Sequence, residues 1–516
     1  MEWGKVQLPL ASGRGVQSCR GVFGMNSNRS ILAVALAALV SVCLSSCSGV
    51  KNRCTVNCGG GSASLNITLA AEPLTPPPGT SILSFAVVIN SVSLTPASGG
   101  SVVNIPLNNS SFGVDLTRLQ SDSAFLGQFI KSVPTGTYNK VTVGITSAAV
   151  TYCAVTSGTP GCNMGSVAQF STGAGAPSTS SFSMTLASNQ QAGLRVVVNF
   201  ANALTVNSTT QAVTGVDLTA ANVVTTLSLP PTASTLSTGQ LDYIEDVTGV
   251  VTAASSTSVT VQTATRGPIT STITSSTVVS PDCLITSVTN QACAPGVGQV
   301  ASVDATLNSD GTSTMLEYDP LTLSSTDLIE GIVTTENTSN TQFQIVVNDY
   351  VGANSGSLIG GVNLGDTVNV TLSSGVLPFV IDSKGLPIVN TPFNGGNSAT
   401  DILPGQTVML RVTAFTAKSG TTPASATVNA VALRFTRLAA TANSAGAAQF
   451  SIHSLPPFFG STGQPVVQLG TGNPITYLDG YSDNGSITVG DNLGLRALYF
   501  GSSFTPAFTA AKIRKN

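Results

Sequence analysis

Histidine, tryptophan, charge and long apolar runs are all scarce in this chain of 516 residues. It has one histidine, His453, inside a strand-like stretch, Gln449–His453. A nucleophile–base–acid arrangement usually takes its base from histidine, so triad chemistry has almost nothing to work with. No Gly-x-Ser-x-Gly elbow, Gly-Lys-Ser/Thr phosphate loop or His-Glu-x-x-His helix is present. Charged residues make up 8% of the chain, against about 25% in a typical soluble protein. The formal balance is −3 with no basic patch, which excludes nucleic acid as a partner. Aromatic residues are 5% and the single tryptophan is Trp3, which disfavours a strong sugar-stacking site. No apolar run reaches the roughly 20 residues that a membrane-crossing helix needs.

The first 47 residues differ from the rest. Ile31–Leu44 (ILAVALAALVSVCL) carries no charge, and Arg29 precedes it. A positive start, an apolar core of this length and small residues after it read as a secretory signal. Leu44-Ser45-Ser46-Cys47 has the form of a lipobox, in which a branched apolar residue and two small residues lead to a lipid-accepting cysteine. The alternative, Val40-Ser41-Val42-Cys43, places bulky Val42 at the cut. The reading is therefore cleavage before Cys47 and a membrane anchor through lipid on its thiol. Two or more acyl chains anchor stably where one does not. Ser48, not aspartate, follows the cysteine and favours the outer membrane by the enterobacterial sorting rule. Met25 makes the better initiator, so residues 1–24 read as an over-extended frame.

Of nine cysteines, Cys19 and Cys43 leave with the leader and Cys47 takes the lipid. Six remain in close pairs: Cys54/Cys58, Cys153/Cys162 and Cys283/Cys293. An even count in an exported chain implies disulfides, with 15 connectivities open to six cysteines. Nearest-neighbour pairing is the simplest, each loop contributing roughly 2–3 kcal/mol. With one histidine and no Cys-x-x-Cys pair, a metal site is the weaker alternative, and no cofactor is expected.

The segment 47–61 is a Gly/Ser-rich tether. Short runs rich in Val, Ile, Thr and Phe then recur: Ser64–Leu69, Leu83–Leu94, Ser101–Pro106, Lys140–Tyr152, Ser181–Leu186, Leu194–Phe200 and Val223–Leu229. Turn residues separate them, the mark of an antiparallel sandwich or barrel. Leu116–Ile130 has near-helical apolar spacing and is expected to be one short helix. Residues 231–242 read as a linker. Beyond it the chain repeats a cadence. Openings at Glu245–Val251, Leu328–Val333 and Arg437–Ala442 lead to Gly-led turns at Gly296–Val300, Pro404–Val412 and Val489–Leu495. Closing strands follow at Thr312–Tyr318, Ala426–Phe435 and Ala507–Ile513. This predicts units at 243–322, 323–436 (with an insertion) and 437–516. The fold expected is all-β: a sandwich, then tandem small OB-like barrels.

Four stretches, Asn66–Pro73, Phe85–Pro96, Val114–Leu119 and the Pro-x-Gly-x-Tyr turn of Pro134–Ile145, resemble domain-of-unknown-function family 4382 of bacterial envelope proteins, over about residues 62–230. One departure is Ala70-Ala71-Glu72-Pro73, where the family usually has an acidic residue before Ala-Pro. The repeated cadence is similar to a second envelope family, number 5666, of small OB-like β-barrels. Neither resemblance carries an assigned activity. Asp310, Asp366, Asp483 and Asp491 sit beside Gly or Asn, as turn residues do. Ser482–Ser486 and Gly490–Asn492 are the only calcium-loop candidates, and both lack the alternating aspartates. Tyr477, Tyr481, Tyr499, Phe458 and Phe459 read as core. The function expected is a non-catalytic binding, adhesion or structural role at the envelope. Beyond the membrane, its expected partner is an envelope or extracellular protein or a glycan. The alternatives are a glycan- or small-ligand-binding surface module, and a hydrolase using carboxylates alone.

Overall fold

A computed structural model describes residues 61–72, 79–156, 158–232, 234–279, 294–335, 341–376, 379–389, 398–460, 463–472 and 475–516. The lipobox (Leu44, Ser45, Ser46), Cys47, Cys54, Cys58, Cys283 and Cys293 lie outside the described residues.

Twelve strands build the N-terminal part: β1 (Ser62–Glu72), β2 (Thr80–Pro96), β3 (Val103–Ile105), β4 (Phe112–Asp115), β5 (Ala124–Pro134), β6 (Gly136–Ala154), β7 (Ala168–Thr172), β8 (Ser178–Leu186), β9 (Gln191–Asn199), β10 (Leu204–Asn207), β11 (Ala212–Val216) and β12 (Val224–Leu229). One sheet runs β12-β9-β1-β5. A second runs β3-β2-β6-β7, with β4 on β2 and β8 on β6, and β10 pairs with β11 in a two-stranded third. Leu65, Ile67 and Leu69 of β1 meet Phe85, Val87, Val141 and Val143 of the opposite sheet in one core. Alternation along each strand sends these residues to one face. Against the antiparallel expectation, β1 and β9 pair in parallel from Ser64/Gln191 to Glu72/Asn199.

The helix expected over Leu116–Ile130 is a single 3-10 turn, Leu116–Gln120, capped by the Asp115 carboxylate. From Ala124 the chain is already strand β5, paired with β1. Leu116 and Leu119 fit a helical face, but Leu126 alternates into the sheet core, and sheet pairing overrides the apparent helical spacing. The α-helical turn among the described residues is Phe200–Ala203.

The Pro-x-Gly-x-Tyr motif has a physical basis. Gly136 takes a φ of +143°, which turns β5 into β6. Tyr138, buried, donates from its hydroxyl to the Pro134 carbonyl at 2.8 Å. The ring thereby ties the turn to the strand it opens, as a tyrosine corner does.

Eighteen further strands form three barrels of one topology. The first contains β13 (Gln240–Ala254), β14 (Ser258–Gln262), β15 (Pro268–Thr272), β16 (Val278–Val279), β17 (Val300–Asn308) and β18 (Ser313–Thr322). The second contains β19 (Leu328–Val333), β20 (Gln342–Val351), β21 (Thr367–Leu372), β22 (Val380–Ile381), β23 (Thr407–Thr416) and β24 (Ala424–Arg434). The third contains β25 (Thr436–Ala442), β26 (Gln449–His453), β27 (Val466–Leu469), β28 (Tyr477–Asp479), β29 (Asn492–Tyr499) and β30 (Phe508–Lys515). In each, five strands close when the third long strand pairs in parallel with the last: β15 with β18, β21 with β24, β27 with β30. This is the small OB-like barrel.

The repeated glycine turn now has an explanation. Gly298, Gly405 and Gly490 have φ of +88°, +88° and +90°, a conformation costly for any residue with a Cβ. Each donates its N–H to the opening strand, at Val251, Val333 and Ala442. The next side chain then accepts from the backbone three residues back: Gln299 from Gly296, Gln406 from Leu403 and Asp491 from Thr488. Gly-Gln and Gly-Asp are thus interchangeable here because both supply that acceptor. The segment before β13 is not a free spacer. Thr235 bonds the Leu478 carbonyl of β28.

Candidate functional site: a buried ionic junction

In a chain so poor in charge, most of the charges among the described residues are not on the outside. Asp122, Asp242, Asp246, Asp304, Glu317, Asp319, Glu330, Asp349, Asp382 and Asp479 are buried, with Arg118, Arg195, Arg266, Lys384, Arg434, Arg496, Lys512 and Arg514. They come from the sandwich and from all three barrels, and they meet where these parts pack together.

Local sequence shows how they get there. In the first barrel Val303 and Ala305 of β17 point into the barrel core, so Ser302 and Asp304 point outward. In the third, Leu495 and Ala497 of β29 point inward, so Arg496 points outward. These positions would be solvated on an isolated barrel. Packing of neighbouring barrels removes the water, and a buried charge must then be paired.

Arg434, at the end of β24, is fully buried and reaches four carboxylates. Its Nη2 donates to Asp246 Oδ2 at 2.8 Å and its Nε to Glu330 Oε2 at 3.3 Å. Its Nη1 lies 3.5 Å from Asp319 and forms a close ion pair with Asp382. Arg437 reaches Glu330, Asp246 and Asp122 at 3.3, 3.4 and 3.5 Å. Arg118, in the sandwich's 3-10 turn, pairs with Glu330 and lies 3.6 Å from Asp349. Arg266 of the first barrel donates to Asp349 of the second at 2.8 Å. Lys384, from the loop after β22, reaches into the first barrel's acidic face, 2.8 Å from Asp304 and 3.1 Å from Asp246. A satellite joins the sandwich to the first and third barrels. Arg195 donates to Asp242 at 2.6 Å and Asp479 at 2.9 Å, while Arg514 donates to Asp479 at 2.8 Å and to the Asp122 carbonyl at 2.6 Å.

The electrostatics follow from burial set against pairing. Burial pushes Asp122 up, yet Arg496, Lys512, Arg437 and Arg514 together hold its carboxyl at about 2. Asp246 and Asp304 are likewise held below the usual range, burial being outweighed by Arg434 and Lys384 in one case and by Arg496 and Lys384 in the other. Lys512 goes the other way, since burial exceeds the pull of Asp122 and brings it down to about 8.

A small cavity of about 50 Å³ opens on the junction, lined by Arg118, Glu330, Arg437, Asn348, Phe200 and Phe458, with room for a few waters. A larger hollow of about 410 Å³ lies between sandwich and first barrel, lined by Asn108, Phe125, Gln128, Ile244, Ile269 and Asp310 among others. Among the described residues, no cluster of three or more His, Cys, Asp or Glu is arranged to hold a metal ion.

Of the residues singled out by sequence, Phe458 and Phe459 line the small cavity on the junction, and most of the others fall elsewhere. Cys153 and Cys162 form a disulfide. Its loop is wedged against the barrels, with Cys162 N donating to the Thr334 carbonyl and Gly161 N to that of Phe458. His453 is exposed, its Nδ1 3.0 Å from the Thr441 carbonyl. Asp491 is occupied by Thr488 N, the Tyr481 hydroxyl and Lys515. Tyr481, Tyr499, Phe458 and Phe459 are buried. The ionic junction itself went unread, because its members are separated by up to hundreds of residues.

Residues 62–228 match the family described as "Domain of unknown function (DUF4382)". The match spans the sandwich, and the three barrels lie outside it. Comparison with curated proteins finds no match.

Proposed function

We propose that this chain is a lipid-anchored cell-envelope protein with a non-catalytic role in binding, adhesion or structural support. The observation that carries this reading is the fate of its ionisable groups. Among the described residues, most charged side chains are buried in the junction, and a general acid or base has to reach its substrate. What faces outward is largely Ser, Thr, Asn and Gly. The sandwich and barrels are fastened by ion pairs, an apolar seam (Val300, Leu321, Leu328, Met409) and the disulfide wedge, which suits a rigid display body. The exported address rests on the leader and on Cys47, and the barrels are taken as repeats resembling family 5666.

The test is membrane fractionation of wild type against Cys47→Ala. Release of the variant into the soluble fraction is expected, and its retention in the pellet overturns the anchor. Single replacement of exposed acids such as Asp310 and Asp483 should leave function intact, whereas loss of a hydrolytic activity on one replacement would favour the carboxylate hydrolase. The second reading, a glycan- or small-ligand-binding module, is favoured by the hollow beside Phe125, whose volume suits a small ligand. A glycan screen without hits would remove its glycan form.

A further inference from the structure

Glu317 is unlike every other acid of the junction. Among the described residues it is the one buried carboxylate whose side chain makes neither a hydrogen bond nor an ion pair, and its Oε1 is closed to solvent. On β18 it lies directly across from Asp304 of β17, a like-charge cross-strand pair that would be destabilising if both were ionised. Asp319 is two residues along the same strand. The cations that face it are committed elsewhere: Lys384 to Asp304 and Asp246, Arg496 to Asp304. From β28 the remaining titratable neighbour is Tyr477, whose hydroxyl is pushed up by burial and by Asp304 and Glu317. An ionised carboxylate left there would carry its full desolvation cost, which a bound proton removes.

We propose that Glu317 is held as a neutral carboxylic acid in the packed protein, and that its ionisation is a proton-operated release of the first barrel from the second and third. Barrel contacts around Glu317 are the ones affected. The loop bearing Lys384 and the face bearing Arg496 both close over β17 and β18, so a new negative charge competes with Asp304 for the same two cations. Burial, opposed by Lys384 and Arg496 and assisted by Asp304 and Asp319, places the carboxyl at about 8. An acid raised from an ordinary value of 4.5 gives its full stabilisation below that value and loses it as pH rises through the folded one. Between these two values each pH unit shifts the packed-to-released ratio by up to about tenfold, and above the higher one, where the carboxyl is ionised in both states, the shift stops.

The experiment is thermal unfolding of the full-length chain in detergent from pH 5 to 9.5, for wild type and Glu317→Gln. It is paired with hydrogen exchange, corrected for intrinsic rate, in Val300–Asn308 and Asn492–Tyr499. Wild type should lose melting temperature between about pH 5 and 8 and level off above, with faster exchange in both segments, while Glu317→Gln falls much less over that range. Parallel curves overturn the proposal. Where the variant fails to fold, carbon-detected titration of wild-type glutamate carboxyls decides, and no glutamate titrating above pH 7 overturns it. A calcium-dependent rise in wild-type melting temperature at pH 8 that Glu317→Gln abolishes would replace the proton by a cation and overturn it too.

Discussion

Asp304 and Arg496 occupy the same place in two different barrels, each the fifth residue of the strand after the glycine turn, and they are bonded to each other at 2.6 and 3.2 Å. Their cross-strand neighbours repeat the inversion, Glu317 beside Asp304 and Lys512 beside Arg496. The second barrel has Arg411 and Ala430 at these positions. One topology thus carries an acidic outer face in its first copy and a basic one in its third. Such pairs add little net stability once desolvation is counted. What they do is reject wrong packings, since either barrel against a copy of itself would bury like charges.

Breaking the pair should be costly in one direction only. Arg496→Met leaves Asp304 buried beside Lys384 alone and is expected to destabilise by about 3–5 kcal/mol in chemical denaturation. Asp304→Leu combined with Arg496→Met should recover most of that, because no uncompensated charge remains. A double variant as unstable as the sum of the singles would show that the pair is not coupled.

The strands were legible because period-two alternation is a local property. Ser84–Leu94 and Thr407–Val412 declare themselves without any partner in view. The glycine turn was legible as a cadence, since one conformation imposes one residue type three times. The junction was not, because Arg118 and Glu330 or Arg195 and Asp479 are neighbours only after four parts have packed. Its one local trace was charge inside otherwise apolar closing strands, as in Val431-Ala-Leu-Arg434 and Ala511-Lys-Ile-Arg514. The same logic explains β1, where Asn66 and Thr68, the polar alternates of an apolar strand, are buried and bonded to Ser309 and Asp242 of the first barrel.

The disulfide is expected to act on packing between parts as well as on the sandwich. Cys153→Ser with Cys162→Ser opens a loop of separation 9, which costs about 2–3 kcal/mol on the chain-entropy account. Hydrogen exchange should rise at Cys162 and Gly161, whose N–H groups are bonded to the barrels. A loss of stability with no change there would confine the disulfide's effect to its own hairpin.

The three turn glycines should not be equally replaceable. A Cβ on Gly298 or Gly490 meets nothing within 4 Å, whereas on Gly405 it would lie 2.9 Å from Phe459. Alanine at Gly298 or Gly490 should therefore cost about 1–2 kcal/mol, the left-handed backbone alone. At Gly405 it should cost more, because Phe459 is packed edge-on against Tyr499 and Phe508 and cannot yield freely. Equal losses in denaturation midpoints would show that backbone conformation dominates at all three.

Acid should undo the junction through Asp122. Its carboxyl is held at about 2 against an ordinary 3.8, so it contributes stability that is complete above 3.8 and disappears as pH falls through 2. Asp122→Asn removes the charge that Arg496, Lys512 and Arg437 face, and it should lower stability at pH 6 while flattening the decline below pH 4. Wild type and variant should converge near pH 2. Lys512, brought down to about 8 partly in spite of Asp122, supplies an independent check. Without the carboxylate its amine should deprotonate at still lower pH, which labelled-lysine spectra can follow. An unchanged lysine titration in Asp122→Asn would mean that the 3.5 Å approach of the two groups carries no appreciable interaction.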